Sequence, residues 1–453
     1  MEALRQLAAF VQELRLEDLP QDVRDAARYC VLDTLGSALG AAENEELAAI
    51  AREYAQWTGL GENNRSARLW GSAQRTNLMN AVFLNGMMAH QLELDDVHTA
   101  SKSHVGAVVV PAAWAVAEAL GCSGKTFLEA VVAGYEGMGR VGKAMDVASN
   151  RKRGWHTTGI IGTFGAAAAA CKLFGLTQEQ TANALGLAGT QSCGLWAFLA
   201  EGATCKKLHT GRAAVNGVAS CLLAKSGMTG AIHILDAKDG GLYPAVSDSW
   251  DMGKLTEGLG QSYEITRMDK KPYPCCRTTH PNIDAALRLR AEGVRAQDVA
   301  QVLVETYEVG VLQCGFSKYP ESPVEAKFST PFTAACALVK GHVNQADFDE
   351  QTLQDAQIRR IAEHTSVVAA PLFTERYPKQ WGSRMTITCT DGSRRVCQID
   401  NMSGSVAVPL SPEQEQSKFL GLAAACMDLP QAQRLMEEVL RIEQKQTLPQ
   451  VGM

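Results

Sequence analysis

Between two mostly apolar runs of this chain lie twelve positions crowded with ionisable groups. Asn80–Leu92 and Gly106–Leu120 both read as buried helices. The segment between them, Glu93-Leu-Asp-Asp-Val-His-Thr-Ala-Ser-Lys-Ser-His104, carries three acids and two imidazoles, with the hydroxyls of Thr99, Ser101 and Ser103 among them. Charged groups held between apolar helices are costly to bury, so their placement points to a site rather than to a chance loop.

With 453 residues the chain is long enough for two or three domains and a large core. Hydrophobic residues at 46% and charged residues at 20% fit an ordinary soluble globular protein. A net charge of −6 argues against a nucleic-acid binder, which needs a basic surface. No membrane partner is expected, because the longest uncharged run, 180–200, is broken by Asn183, Gln191 and Ser192. The N-terminus lacks the basic-then-apolar pattern of a secretory signal, and a cytoplasmic location is expected. The 13 cysteines are odd in number and form no Cys-x-x-Cys pair, as suits free thiols in a reducing compartment.

Helical periodicity dominates the first 260 residues. It places Leu4, Leu7, Ala8, Val11 and Leu14 on one face and predicts a second helix over 22–39. A polar loop is expected at 59–66, with helical signals resuming near Asn77. Small residues give helices expected at 160–173, 182–194 and 211–223 the means to pack closely. Gly137-Met-Gly-Arg-Val-Gly-Lys143-Ala144 resembles a phosphate-binding loop. It lacks the Ser or Thr after the lysine and the preceding strand, so no nucleotide site is assigned.

The texture changes near Tyr263. Residues 299–307 read as a strand, and 385–398 as a hairpin turning at Asp391-Gly392. Helices are expected at 282–292 and 331–340, and the tail from 411 to 443 returns to helix. The expectation is a mainly α fold: a helical domain from residues 1–264 and 398–453, and a smaller α+β lid over 265–397.

Three further clusters join the 93–104 stretch as candidates. They are His156 after Gly-Trp, the cations Lys206, Lys207 and Arg212, and Lys270-Lys-Pro-Tyr-Pro-Cys-Cys-Arg-Thr-Thr-His280. Prolines 272 and 274 are expected to hold that last segment extended and present its cations. Cations at these positions would hold carboxylates, and imidazoles would move protons. A metal bound by His98, His104 and the Asp95-Asp96 pair is the rival reading. Its two histidines lie six residues apart, which does not place both on one helical face. His90, His233, His342 and His364 have no suggestive neighbours in sequence, and His209 and His280 suit a core or capping role as well as a catalytic one.

Leu94–Gly106, Trp155-His156, Lys206–Ala214 and Lys271–Pro281, taken together and in order, resemble the MmgE/PrpD family. The resemblance runs from Leu19 to about Val408. It implies a large all-helical domain built from both chain ends, an α+β lid, a homodimer, and no metal or organic cofactor. By motif match it implies His104 and His156 as active-site histidines, Lys206 as the active-site lysine, Asp95 and Asp96 as the paired aspartates, and Lys271 as the lid cation.

Glu93, His98, Thr99, Lys207, Cys276, Arg277 and Phe332 are expected around the substrate. Departures from the family pattern are Glu93 for Asp, Val105 for Pro, Phe332 for a tyrosine and Cys276 for a histidine. The last two remove a phenol and an imidazole that serve cis-aconitate decarboxylation. The resulting expectation is a cofactor-independent dehydratase of a small di- or tricarboxylate, of the 2-methylcitrate dehydratase kind. An iminodisuccinate-type epimerase is the alternative, followed by a decarboxylase or a non-catalytic carboxylate binder.

Overall fold

The computed structural model describes residues 2–59 and 65–452, so part of the loop expected at 59–66 lies outside the described residues. Two compact units emerge. One comprises Met1–Trp196, Cys205–Asp269 and Ser411–Met453; the other comprises Ala197–Thr204 and Lys270–Leu410.

The first unit is a stack of helices: α1 (Ala3–Glu13), α2 (Gln21–Leu39), α3 (Glu45–Thr58), α4 (Leu78–Gln91), α5 (Gly106–Leu120), α6 (Gly124–Lys143), α7 (Val147–Lys152), α8 (Thr157–Leu173), α9 (Gln178–Thr190) and α10 (Leu208–Lys225). Helices Pro412–Ala423 and Leu429–Leu440 complete it from the far end of the chain, the first of them packing on α2. Helix α8 is buried on every side and lies against α6, α9 and α10. That explains its near-uniform apolarity, because a helix with no solvent face has no polar stripe. Its alanines let neighbours approach closely: a Cβ added at Gly217 on α10 would sit 2.6 Å from the Thr163 carbonyl oxygen. The phosphate-loop look-alike at 137–144 occupies the last turns of α6 and continues its buried face.

Two details depart from the expectations. Strands β1 (Ser66–Arg68) and β2 (Arg75–Asn77) form a small ladder that is too short for period-2 alternation to announce. The helix expected to reach Gly194 ends at Thr190, and Gly194 has φ +124°, outside any helical region. Strands β3 (Val97–His98) and β4 (Met268–Asp269) pair antiparallel, tying the polar 93–104 segment to the end of this unit.

The second unit is built on a four-stranded sheet ordered β6 (Thr365–Ala369), β5 (Val299–Thr306), β7 (Ser383–Cys389), β8 (Arg394–Ile399). Its β7–β8 hairpin turns at Gly392, whose φ of +81° is the positive angle expected of Asp-Gly. Strand β6 runs parallel to β5 and was not expected. Its five residues carry no alternation long enough to separate it from the neighbouring helical turns. The 271–276 segment is bent rather than extended: the Cys275 N–H donates to the Tyr273 carbonyl, 2.9 Å away, closing a three-residue turn centred on Pro274. All 13 cysteines are free thiols. Among the described residues, no helix is long and apolar enough to cross a membrane.

Candidate active site

The polar segment runs from the end of α4 to the start of α5, and nearly all of it is buried. Asp96 ties the two ends down. Its carboxylate accepts the Gly106 N–H at 2.8 Å, capping α5, and the Tyr135 hydroxyl at 2.7 Å. Burial and that carboxylate push the Tyr135 phenol well above its ordinary pKa, so it stays a neutral donor. Gly106 fits because a Cβ there would run into Thr34 Oγ1 and Tyr135 Oη.

His98 is held on both sides. Its Nδ1 lies 2.8 Å from Ser101 Oγ and its Nε2 lies 3.1 Å from Glu264 Oε2. Glu264 also pairs with Lys143. Burial alone would raise the Glu264 pKa, but the His98 and Lys143 contacts outweigh it and bring it to about 2. The Thr99 hydroxyl donates to Asp269, and Lys207 Nζ pairs with Glu46 Oε2 at 2.6 Å. These side chains, expected around a substrate, here anchor the segment and its neighbours.

The chemistry-bearing groups gather around Asp95, which is fully buried. His90 Nδ1 lies 2.9 and 3.0 Å from its two oxygens, and His104 Nδ1 lies 3.0 Å from Oδ2. Burial would raise the Asp95 pKa, yet the two imidazoles hold it well below the usual carboxylate range. It is therefore an anion that demands an N–H from each ring.

The rings of His90 and His104 are 4.3 Å apart, and His156 lies 6.3 and 6.4 Å from them. His156 stands at the N-cap position of α8, and its Nδ1 sits 2.8 Å from Nδ1 of His209 in the first turn of α10. Burial first, then the Lys206 charge, holds the His156 pKa well below its ordinary value. Burial, His90 and Lys206 bring His209 to about 4. Lys206 Nζ reaches Glu93 Oε1 at 2.5 Å, and Glu93 stands at φ +60°, an uncommon angle for a non-glycine residue. Strain of this kind concentrates at functional sites.

Asp95, His104, His156, Lys206 and Glu93 therefore belong to one buried cluster of the first unit. His90 and His209 join it, although neither stood out in the sequence as catalytic. His90 was absorbed into an apolar helical run; its signal was the spacing to Glu93 and Asp95, three and five residues on, across the helix end. The rival metal set does not assemble, because His98 and Asp96 are committed elsewhere. Among the described residues, the histidine, cysteine and acid donors that converge are His90, His104 and His156, with one ring nitrogen of each within 4.8 Å. Tetrahedral zinc donors stand about 3.4 Å apart, so that set would have to contract around an ion beside the Lys206 ammonium.

The remaining expected residues lie in the second unit. Lys271 is fully buried and Arg277 is 3% exposed, so their stretch is not a solvated charged face. Cys276 Sγ takes the Gln313 side-chain N–H at 3.0 Å, and its backbone N–H donates to the Lys327 carbonyl. Phe332 lies in helix Thr330–Lys340, with its ring 6.0 Å from Phe348.

Comparison with known proteins agrees in both parts of the chain. Residues 5–254 match the MmgE/PrpD N-terminal domain, and residues 273–444 match the MmgE/PrpD C-terminal domain. The cis-aconitate decarboxylase-like protein oryM of Aspergillus oryzae is 28% identical, over 97% of this chain and 94% of its own. Human cis-aconitate decarboxylase is 27% identical, over 96% and 91%. The 2-methylcitrate dehydratase of Salmonella typhimurium is 26% identical, over 82% and 79%.

Proposed function

The chain belongs to the MmgE/PrpD family and is a lyase of that type; within the class, we propose a 2-methylcitrate dehydratase-like hydro-lyase that removes a proton next to a carboxylate of a small di- or tricarboxylate. The observation that carries this reading is the buried carboxylate of Asp95, shared by two imidazoles beside a third imidazole and a lysine.

An anionic Asp95 accepts Nδ1–H from His104, which leaves a lone pair on His104 Nε2 as general base. That nitrogen takes the proton from the carbon next to the carboxylate, and the electron pair moves into the carboxylate as an enolate-like dianion. Lys206 stabilises that charge. His156, kept neutral, donates its N–H to the departing hydroxyl. The carbon–oxygen bond breaks, the electron pair forms the alkene, and water leaves with the proton from His156; the proton taken by His104 then passes to His156 and restores both neutral rings. Asp96 positions the segment, while Glu93, His98, Thr99 and Lys207 fix the surroundings. Base, acid and electrophile are all side chains, so the proposed reaction calls on no metal or organic cofactor.

Decarboxylation of a cis-aconitate-like substrate is the second reading. It is favoured by relatives of that name aligning over 96–97% of this chain. Against it stand Phe332 and Cys276, which offer neither phenol nor imidazole. A homodimer is proposed from the family resemblance and a cytoplasmic location from the free-thiol cysteine pattern, and sedimentation of the purified chain tests the first of these.

Proton NMR of chelator-treated protein in deuterium oxide, with a panel of di- and tricarboxylates, tests the reading. Deuterium entering next to a carboxylate, with an alkene product, supports dehydration. Carbon dioxide release turns the assignment to decarboxylation. Deuterium with an inverted centre would make the protein an epimerase, and no exchange with any substrate would count against catalysis.

A further inference from the structure

We infer that His209 is a positioning residue that fixes His156 as its Nε2–H tautomer and so makes it a hydrogen-bond and proton donor. The inference rests on the proton-transfer reading above and adds a residue to it.

Two ring nitrogens 2.8 Å apart cannot both carry protons, nor both be lone pairs; the His156 Nδ1···His209 Nδ1 contact contains one N–H and one acceptor. Both rings are neutral for a physical reason. His156 is the N-cap of α8 and His209 is the second residue of α10, so each sits at the positive end of a helix, in a buried setting beside Lys206. With two neutral rings, the partner's tautomer dictates that of His156.

The inventory of the cluster selects the direction. Asp95 draws Nδ1–H from both His90 and His104, and His90 Nε2 faces Glu93 Oε1 at 3.5 Å, which leaves His104 Nε2 as the lone pair open to a substrate. If His156 donated to His209, its own Nε2 would be a second lone pair, and His104 and His156 would offer two bases with no acid. If His209 donates, His156 carries Nε2–H and supplies the missing donor. A neutral imidazole kept from protonation is well suited to that electrophilic role.

The packing holds His209 in place for it. Gly194 sits against the His209 ring, with the position of a Cβ there 3.4 Å from Cγ, and Trp196 meets the His156 ring edge-on at 5.2 Å. Arg151 stacks over that indole, 4.3 Å from its centre.

The test is a long-range proton–nitrogen NMR correlation on protein with ring-labelled histidine, with His156 assigned by the signal lost in His156→Asn. The expected result at neutral pH is His156 protonated at Nε2 and bare at Nδ1. The opposite pattern overturns the inference. Three variants add a kinetic arm. Asn at 209 places an amide N–H near the position of Nδ1, and His209→Asn should keep kcat within about tenfold. His209→Asp can only accept and should invert the His156 tautomer. His209→Leu offers neither donor nor acceptor. Both should lose about a hundredfold in kcat with little change in KM. Equal activity in the Asn, Asp and Leu variants overturns the inference. The spectra need no substrate, so a correct tautomer in a protein with no proton-exchange activity would sink the proposed reaction and leave the pair standing. An inverted tautomer in an active enzyme would do the reverse.

Discussion

Lys206 Nζ lies 2.5 Å from Glu93 Oε1, both side chains are less than a tenth exposed, and Glu93 reaches that position from a backbone at φ +60°. The contact joins a residue just past the end of α4 to one just before α10, so it fixes the lysine against the imidazole cluster. Replacing Glu93 with Gln keeps the shape and removes the charge that faces a buried ammonium. Breaking a buried pair from one side costs about 3 kcal/mol or more. Urea unfolding of Glu93→Gln should show a loss of that order, and a loss near zero would mean that the pair does not stabilise the fold.

Asp95→Asn should be more damaging to turnover than to binding. An amide offers one oxygen and one NH2 group where the cluster needs two acceptors, so His90 and His104 cannot both keep Nδ1–H. With His104 in the wrong tautomer, kcat should fall by about a hundredfold or more while KM moves little. Steady-state kinetics on the substrate found by the exchange screen decides this. Undiminished turnover would remove Asp95 from the mechanism.

Acid should destabilise the protein in two separate windows. His209 is pushed down to about 4 and His156 is also depressed, whereas an unfolded histidine titrates near 6.5. Between those values the unfolded chain binds more protons, so stability is full above about pH 6.5 and falls toward pH 4. The slope is about 1.4 kcal/mol per pH unit for each such group. Glu264 at about 2 acts lower: its stabilisation is present above about pH 4.5 and is lost as pH falls toward 2. Unfolding free energies from pH 3 to 8 should show a shallower upper slope in His209→Asn and a shallower lower slope in Glu264→Gln.

Chelator treatment should leave turnover unchanged, because the proposed acid, base and electrophile are side chains. Added zinc should inhibit by occupying His90, His104 and His156, whose donors converge within 4.8 Å. Activity lost on chelation and regained with zinc would make those three histidines ligands and retire the acid–base assignment.

Much of the helical unit was legible because its long helices advertise themselves. The runs at 80–92 and 106–120 are apolar enough to demand burial, and the small residues of α8 and α10 signal close packing. Strand β6 and the β1–β2 ladder were not legible, since three to five residues carry too little periodicity. The bend at 271–276 departs from the extended backbone that its two prolines lead one to expect. Proline fixes one backbone angle, while the turn is closed by the hydrogen bond from Cys275 to Tyr273.

The site divides along the same line. Sequence by itself singled out Asp95, His104, His156 and Lys206 as candidates for the chemistry, because residue types and motif order are one-dimensional information. Only the tertiary structure decided that Asp96 caps α5, that His98 belongs to Glu264, and that His90 and His209 complete the cluster. Those outcomes depend on which hydrogen-bond partners arrive from other helices. His209 is 53 residues from the ring it touches, and no local pattern encodes a contact made when two helix N-termini are packed together.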